Sequence, residues 1–390
     1  MPPSNREDRF PEETEPLLDR ESSSQPIPRR CESFGLSYRG TMTALRFGCS
    51  YLPWIFLPLG SIARLLHWND LWIFLFNLLA IPSLSAVISS SSDELADYLG
   101  ELAGGLINAT FGNAVELTAG VLALVYGDIL FAQSVMIGSI LSDVLLVFGC
   151  CLVSASYNKD VLYFNTAVAQ SLSSLMTITA VTIILPTALY STFPSANLED
   201  TIISFSRSTS IVLLALYVGY LYFHLGTHKH LFESQKPDDS NESPRHGTPH
   251  STYITSTLKL VAAAIVTVIC TRFLFESIHG TTKVTGLTKT FIAVILIPIA
   301  SNSPEGTAVI AAAQVGDVDS AIGVIVNSTL QIGLFVIPFL VILGWMIYQP
   351  MTLYFETSHT VILFLSIIVV NHLLQDGRYT YIHGVMLVAL

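Results

Sequence analysis

The chain alternates long apolar stretches with shorter polar connections along most of its length. Runs of about 20 apolar residues match what an α-helix needs to cross a bilayer core of about 30 Å. The last run has about 12 residues, equal to about 18 Å of helix. The pattern predicts an all-α polytopic membrane protein with about eleven transmembrane helices, at positions 49–66, 71–90, 103–126, 131–153, 161–188, 208–226, 256–276, 287–314, 319–345, 354–371 and 379–390.

Composition agrees with this class and excludes a soluble enzyme. Hydrophobic residues make up 51% of the chain and charged residues 12%, and the mean hydropathy is +0.59. An ordinary soluble domain has about 25% charged residues. The formal net charge of −11 gives no reason to expect a nucleic-acid partner. We therefore expect the lipid bilayer as the surroundings, and no enzymatic cofactor.

Charge placement predicts the topology. If every run crosses the bilayer, most Lys and Arg residues fall on the side of the N-terminus, which the positive-inside rule makes cytosolic. Polar segments at the start and middle of the chain are typical of a disordered tail and of a linker, the latter containing several histidines. The predicted organisation is a cytosolic tail (1–48), an extra N-terminal helix (49–66), a first five-helix repeat (71–226), a cytosolic linker (227–254) and a second five-helix repeat (255–390).

An internal repeat is the most informative feature of the sequence. Asn113 and Asn302 are 189 positions apart, and at this offset several polar residues coincide without a gap. Such agreement inside apolar runs is hard to attribute to chance. The paired positions are Asn113 with Asn302, Glu116 with Glu305, Asp128 with Asp317, and Ser139 with Ser328.

Five spans per repeat is an odd number, so the second copy should enter the membrane from the opposite side. Inverted repeats of this kind form substrate sites near the bilayer midplane, where interrupted helices expose backbone groups. Gly112 in the first copy and Pro304 in the second are residue types that interrupt helices. We expect a helix break at both positions.

The two glutamates carry the candidate chemistry. An ionised carboxylate at the bilayer centre costs about 2.5–3.5 kcal/mol on insertion scales, so binding a cation explains them better than a buried protonated structural role. Carboxylate, amide and hydroxyl oxygens suit Ca²⁺, and Mn²⁺ accepts similar ligands. Without the cation, repulsion and burial favour protons, although Na⁺ could serve as the counter-ion. The residues concerned are Asn113, Glu116, Ser139, Asn302, Glu305 and Ser328.

Neighbouring polar residues allow more than one interpretation. Asp143 lies four residues after Ser139, on the same helical face, where it could line an ion pathway or make an interhelical hydrogen bond. Ser142 and Ser301 belong to the same possible pathway, and the Gln331 amide could contact another helix or the ion. An acidic group could start the third run as a helix N-terminus or form a cation-attracting vestibule: Asp93, Glu94, Asp97 and Glu101.

At these motifs the chain resembles the Ca²⁺/H⁺ exchangers of the calcium/cation antiporter superfamily. The segment GGLINATFGNAVEL, followed by GSILSDVLLVFG, is closely similar to the family's first signature, and residues 302–338 are a looser match to the second. The resemblance implies two inverted five-helix units, an extra N-terminal helix and the membrane of a vacuole or another acidic organelle. It implies binding roles for Gly112, Asn113, Glu116, Ser139, Asn302, Glu305, Ser328 and Gln331.

Departures from the family pattern keep other functions open. The second signature usually reads Gly-Asn-Ala-Ala-Glu-His, whereas this chain has Ser301, Pro304 and Gly306 at three of those positions. A usual Gly is Asn327, and a usual Asn in the first repeat is Asp143. The leading hypothesis is a Ca²⁺/H⁺ antiporter; the alternatives are a Na⁺-coupled or Mn²⁺-transporting exchanger and a non-transporting cation sensor.

One motif in the tail agrees with the expected location. Glu13, Leu17 and Leu18 fit an acidic dileucine signal of the form ExxxLL. Such a signal would recruit a sorting adaptor that directs the protein to a vacuole or lysosome.

Overall fold

A computed structural model describes residues 54–99, 101–156, 162–163, 166–192, 198–223 and 250–390. The predicted tail with its dileucine motif, and most of the predicted linker, lie outside the described residues. The helices are α1 (Trp54–Leu65), α2 (Asp70–Leu99), α3 (Glu101–Gly112), α4 (Ala114–Val125), α5 (Ile129–Ala155), α6 (Thr166–Thr192), α7 (Leu198–Leu221), α8 (His250–Thr285), α9 (Lys289–Val315), α10 (Val318–Met346), α11 (Thr357–Asp376) and α12 (Tyr381–Ala389).

The predicted all-α membrane class is confirmed. Within the described ranges, seven helices are long and apolar enough to cross a membrane, or eight if the bent pair α3 and α4 forms one span. Each predicted apolar run coincides with a helix or with this pair, but α1, α12 and the apolar part of α6 (Ser173–Ala188) are shorter than a full span. The count of eleven spans therefore stays a prediction. Helix α8 begins at His250, inside the predicted linker.

Two short strands are the exception to the helical architecture in the described part of the chain. Strand β1 (Leu162–Tyr163) pairs antiparallel with β2 (Arg378–Tyr379), with Leu162 opposite Tyr379. The pairing joins the connection before α6 to the connection before α12, and so ties a segment of the first repeat to one of the second.

Helices α5 and α10 form the centre of the fold. In each, 78% of the most apolar window is buried inside the protein, against 22% in α7. Their burial follows from apolar residues on all sides and from glycines that permit close packing. A Cβ on Gly138, for example, would overlap the backbone carbonyl of Val294 on α9. The central pair carries Ser139 and Ser328, so the predicted ligands lie on the most enclosed helices.

Corresponding local features mark the two repeats. Asp128 caps α5 by accepting from the Phe131 amide at 3.3 Å, and Asp317 caps α10 by accepting from the Ser320 amide at the same distance. Each helix also contains a π-helical segment past its predicted ligand, at Ser142–Val147 in α5 and Ile332–Val336 in α10. Such segments widen the helix locally and are frequent at functional sites.

Candidate cation-binding site

The first half of the site is built where α3 meets α4. The two helices are bent by 64° at Asn113, directly after Gly112, as the expected helix break required. Glu116 lies in the first turn of α4 and its residue is 2% exposed. The helix N-terminus stabilises a negative charge there. The Ser139 hydroxyl on α5 donates to Glu116 Oε1 at 3.3 Å.

The expected break at Pro304 is wrong, because α9 continues through it. Proline lacks the N–H that would bond to the carbonyl four residues earlier. That carbonyl belongs to Ala300, and the Ser303 hydroxyl donates to it at 2.8 Å. The side chain of the preceding residue thus satisfies the backbone acceptor, and the helix remains intact. Glu305 is half-buried one residue later and lies within electrostatic range of Glu116.

Hydrogen bonds join the two halves. The Asn302 amide Nδ2 donates to the Ser139 backbone carbonyl and hydroxyl, each at 3.2 Å, and to Asp143 Oδ1 at 2.8 Å. From the first repeat to the second, Asn113 Nδ2 donates to Gln331 Oε1 at 2.9 Å. Each repeat's asparagine therefore contacts the central helix of the other repeat.

Asp143 occupies the middle of this network. It is 1% exposed, and besides the Asn302 amide it accepts from the Ser328 hydroxyl on α10, Oγ to Oδ2, at 2.8 Å. The structure shows the interhelical hydrogen bonds that the sequence allows, and a role for Asp143 in an ion pathway stays a prediction. The adjacent Ser142 hydroxyl is buried and has no hydrogen-bond partner among the described residues.

Of the four acidic residues, Glu101 begins α3, as the helix-start interpretation predicts, whereas the other three lie within α2. Asp93 and Glu94 lie in the C-terminal half of α2. The Ser256 hydroxyl on α8 donates to Glu94 Oε2. Asp93 lies within electrostatic range of Glu305. The vestibule interpretation stays a prediction.

One contact to the site was not anticipated from the sequence. The Ser85 hydroxyl on α2 donates to the Ser301 backbone carbonyl at 3.0 Å. Ser85 lies in a helix that contains several other serines, so no pattern distinguishes it. It connects α2 to the part of α9 that carries Asn302.

The assembled groups are hard oxygen donors. Carboxylates, amides and hydroxyls from four helices lie near one another, and oxygen atoms of these kinds are the ligands that Ca²⁺ takes in proteins. Among the described residues, no three His, Cys, Asp or Glu side chains converge closely enough to hold a metal ion alone. A cation here would therefore need the neutral oxygens too. The carboxylates concerned are Glu116, Asp143 and Glu305.

Two segments with matching polar residues that meet at a set of buried polar groups are an arrangement found in many secondary membrane transporters. The chain belongs to the sodium/calcium exchanger protein family, whose model matches residues 69–226 and 255–390. The family membership predicted from the sequence is therefore confirmed, and the family is one of transporters rather than enzymes.

Individual relatives show which members of the family the chain is similar to. A vacuolar calcium ion transporter of Schizosaccharomyces pombe is 39% identical over 86% of this chain and 81% of its own length. Vacuolar cation/proton exchanger 2 of rice, Oryza sativa subsp. japonica, is 33% identical over 86% of this chain and 78% of its own length. A crystal structure of the Ca²⁺/H⁺ antiporter protein YfkE covers 87% of this chain and 95% of its own, with a TM-score of 0.72 and 26% identity.

Proposed function

We propose that this chain is a secondary antiporter that exchanges Ca²⁺ for protons. The names of the relatives support this: one is a vacuolar calcium ion transporter, one a vacuolar cation/proton exchanger and one a Ca²⁺/H⁺ antiporter. In this proposal the cation binds between the two repeats, with Glu116 and Glu305 as its principal anionic ligands. The neutral ligands are Gly112 (through its carbonyl), Asn113, Ser139, Asn302, Ser328 and Gln331.

The network between the repeats is the observation that carries the proposal. Asn302 bonds to Ser139 and Asp143 across the interface, and Asn113 bonds to Gln331. A change in the relative position of the halves therefore changes the cation ligands directly. In this proposal, rearrangement of the helices opens the site to one side of the membrane at a time, which is alternating access.

Charge balance explains why protons would be the counter-ions. Two carboxylates in a low-dielectric site are neutralised either by one divalent cation or by two protons, and a bare charged site is expensive inside a membrane. One Ca²⁺ carries the same charge as two protons, so exchange of the two loads leaves the net charge of the site unchanged in both directions of transport. Ser142, Ser301 and Asp143 are the proposed polar pathway to this site.

We further propose that the protein resides in the membrane of a vacuole or another acidic organelle, with its N-terminus in the cytosol. The positive-inside bias and the names of the two vacuolar relatives support this. Protons then leave the organelle lumen as Ca²⁺ enters. A sorting adaptor that binds Glu13, Leu17 and Leu18 would deliver the protein there.

Uptake of radiolabelled Ca²⁺ into vesicles that contain the full chain tests the function. A pH gradient, acid inside, should drive uptake, whereas a Na⁺ gradient at equal pH should not. Uptake driven by the Na⁺ gradient alone would show that Na⁺, rather than protons, is the counter-ion. Ca²⁺ binding without flux under either gradient would make the chain a sensor. Competition by excess Mn²⁺ shows whether Mn²⁺ is a second substrate.

A further inference from the structure

Among the differences between the two repeats, one lies directly before the serine that each central helix contributes to the site. Gly138 precedes Ser139 in α5, and the corresponding residue before Ser328 in α10 is Asn327. In α5 the absence of a side chain lets α9 approach so closely that a Cβ would overlap the Val294 backbone. That contact fixes how α5 is oriented. Asn327 carries a side chain, so α10 cannot make the same backbone contact at this position.

Instead, a tyrosine on α7 contacts Asn327. The Tyr220 hydroxyl donates to Asn327 Oδ1 at 3.0 Å, and Tyr220 is 5% exposed. One turn earlier, the Tyr217 ring lies 5.3 Å from the ring of Phe335 in α10. Successive residues on an α-helix are rotated by about 100°, so Asn327 can face α7 while Ser328 faces the site, where its hydroxyl donates to Asp143.

We infer that Tyr220 is a positioning residue for cation binding: its hydrogen bond to Asn327 holds α10 in the rotation that directs Ser328 and Gln331 at the site. In the first repeat the same task is performed by backbone packing at Gly138. Helix α7, the last helix of the first repeat, thus orients ligands that belong to the second repeat. This inference rests on the proposed function, since Ser328 and Gln331 are its proposed ligands.

The chain contains a matched control for this inference. Tyr217 is on the same helix and is buried, yet its hydroxyl has no hydrogen-bond partner among the described residues. Tyr217→Phe and Tyr220→Phe remove the same atom from neighbouring rings. A general effect of losing a buried hydroxyl would appear in both variants, whereas a positioning effect would appear only at Tyr220.

The test measures pH-gradient-driven Ca²⁺ uptake, normalised to the folded protein in the vesicles, for wild type, Y217F, Y220F, N327A and the Y220F/N327A double variant. We expect Y220F to raise the KM for Ca²⁺ by about three- to tenfold, the range for one buried hydrogen bond, with little change in maximal rate. Y217F should match wild type. The double variant should show no larger KM than N327A alone, because both changes remove the same bond.

Three results would overturn the inference. In the first, the KM of Y220F equals that of Y217F. In the second, Y220F lowers thermal stability but leaves the KM unchanged, which would show a purely structural role. In the third, the effects of Y220F and N327A add. The proposed function fails separately, if wild-type vesicles show no uptake driven by the pH gradient.

Discussion

The hydrogen bond between Asn302 and Asp143 offers a sharp test of the connection between the repeats. Asn302 Nδ2 lies 2.8 Å from Asp143 Oδ1, and both residues are buried. Asn302→Asp replaces this donor with a second carboxylate oxygen at the same distance. Asp143→Asn keeps an acceptor for the Asn302 amide.

The distance between Asn302 and Asp143 determines how large the effect of Asn302→Asp on Ca²⁺ uptake should be. Two unit charges 2.8 Å apart repel by about 6 kcal/mol at an effective dielectric constant of about 20. Movement or proton uptake would relieve part of this, so the lost charge-assisted hydrogen bond, about 1.5–3 kcal/mol, gives the lower bound. We expect Asn302→Asp to reduce Ca²⁺ uptake by at least about 10- to 100-fold.

The exchanged pair, Asn302→Asp with Asp143→Asn, restores the bond with its direction reversed. The new amide at 143 can donate to the carboxylate at 302, and its oxygen can still accept from Ser328. We expect the double variant to regain uptake to within about tenfold of wild type. The assay is pH-gradient-driven Ca²⁺ uptake together with the melting temperature of each purified variant. A double variant no better than Asn302→Asp alone would refute the proposed pairing.

Two further predictions concern packing and charge. Gly138→Ala should sharply reduce the yield and melting temperature of folded protein, because the added Cβ would overlap backbone atoms of α9. The control is Gly219→Ala, where a Cβ meets open space and should change neither quantity. Equal yields of the two variants would contradict the packing argument. Glu276→Gln should lower the melting temperature by about 1–3 °C, since Glu276 lies 2.6 Å from Arg64 and 2.9 Å from Arg272. This shift should shrink in concentrated salt, and a salt-independent shift would rule out ion pairing as its cause.

Much of the fold could be predicted from apolar runs alone. Every run coincides with a helix or a helix pair, because a membrane helix must satisfy its backbone internally and so depends little on distant residues. Lengths were harder to predict. Helix α2 continues to Leu99 and includes Asp93 and Glu94, since its polar end is paired with α8 rather than left as a loop.

For the site, the sequence predicted which residues belong together but not which of them contact each other. The repeat identified Asn113, Asn302 and the serines as one group, and the structure brings them together. Which residue contacts which could not be predicted, because those contacts depend on the packing of helices far apart in sequence. Pro304 illustrates the same limit: a local rule predicts a break, but the neighbouring Ser303 hydroxyl preserves the helix.

The central claim is that two glutamates at the interface of the repeats bind the transported cation. Its most direct test is pH-gradient-driven Ca²⁺ uptake by wild type, Glu116→Gln, Glu305→Gln and a control, Glu356→Gln, whose side chain is 50% exposed at the start of α11. The account predicts that the control transports like wild type, while either interface variant, folded and present at equal amounts, shows no uptake above empty vesicles. Normal uptake by Glu116→Gln or Glu305→Gln would contradict it.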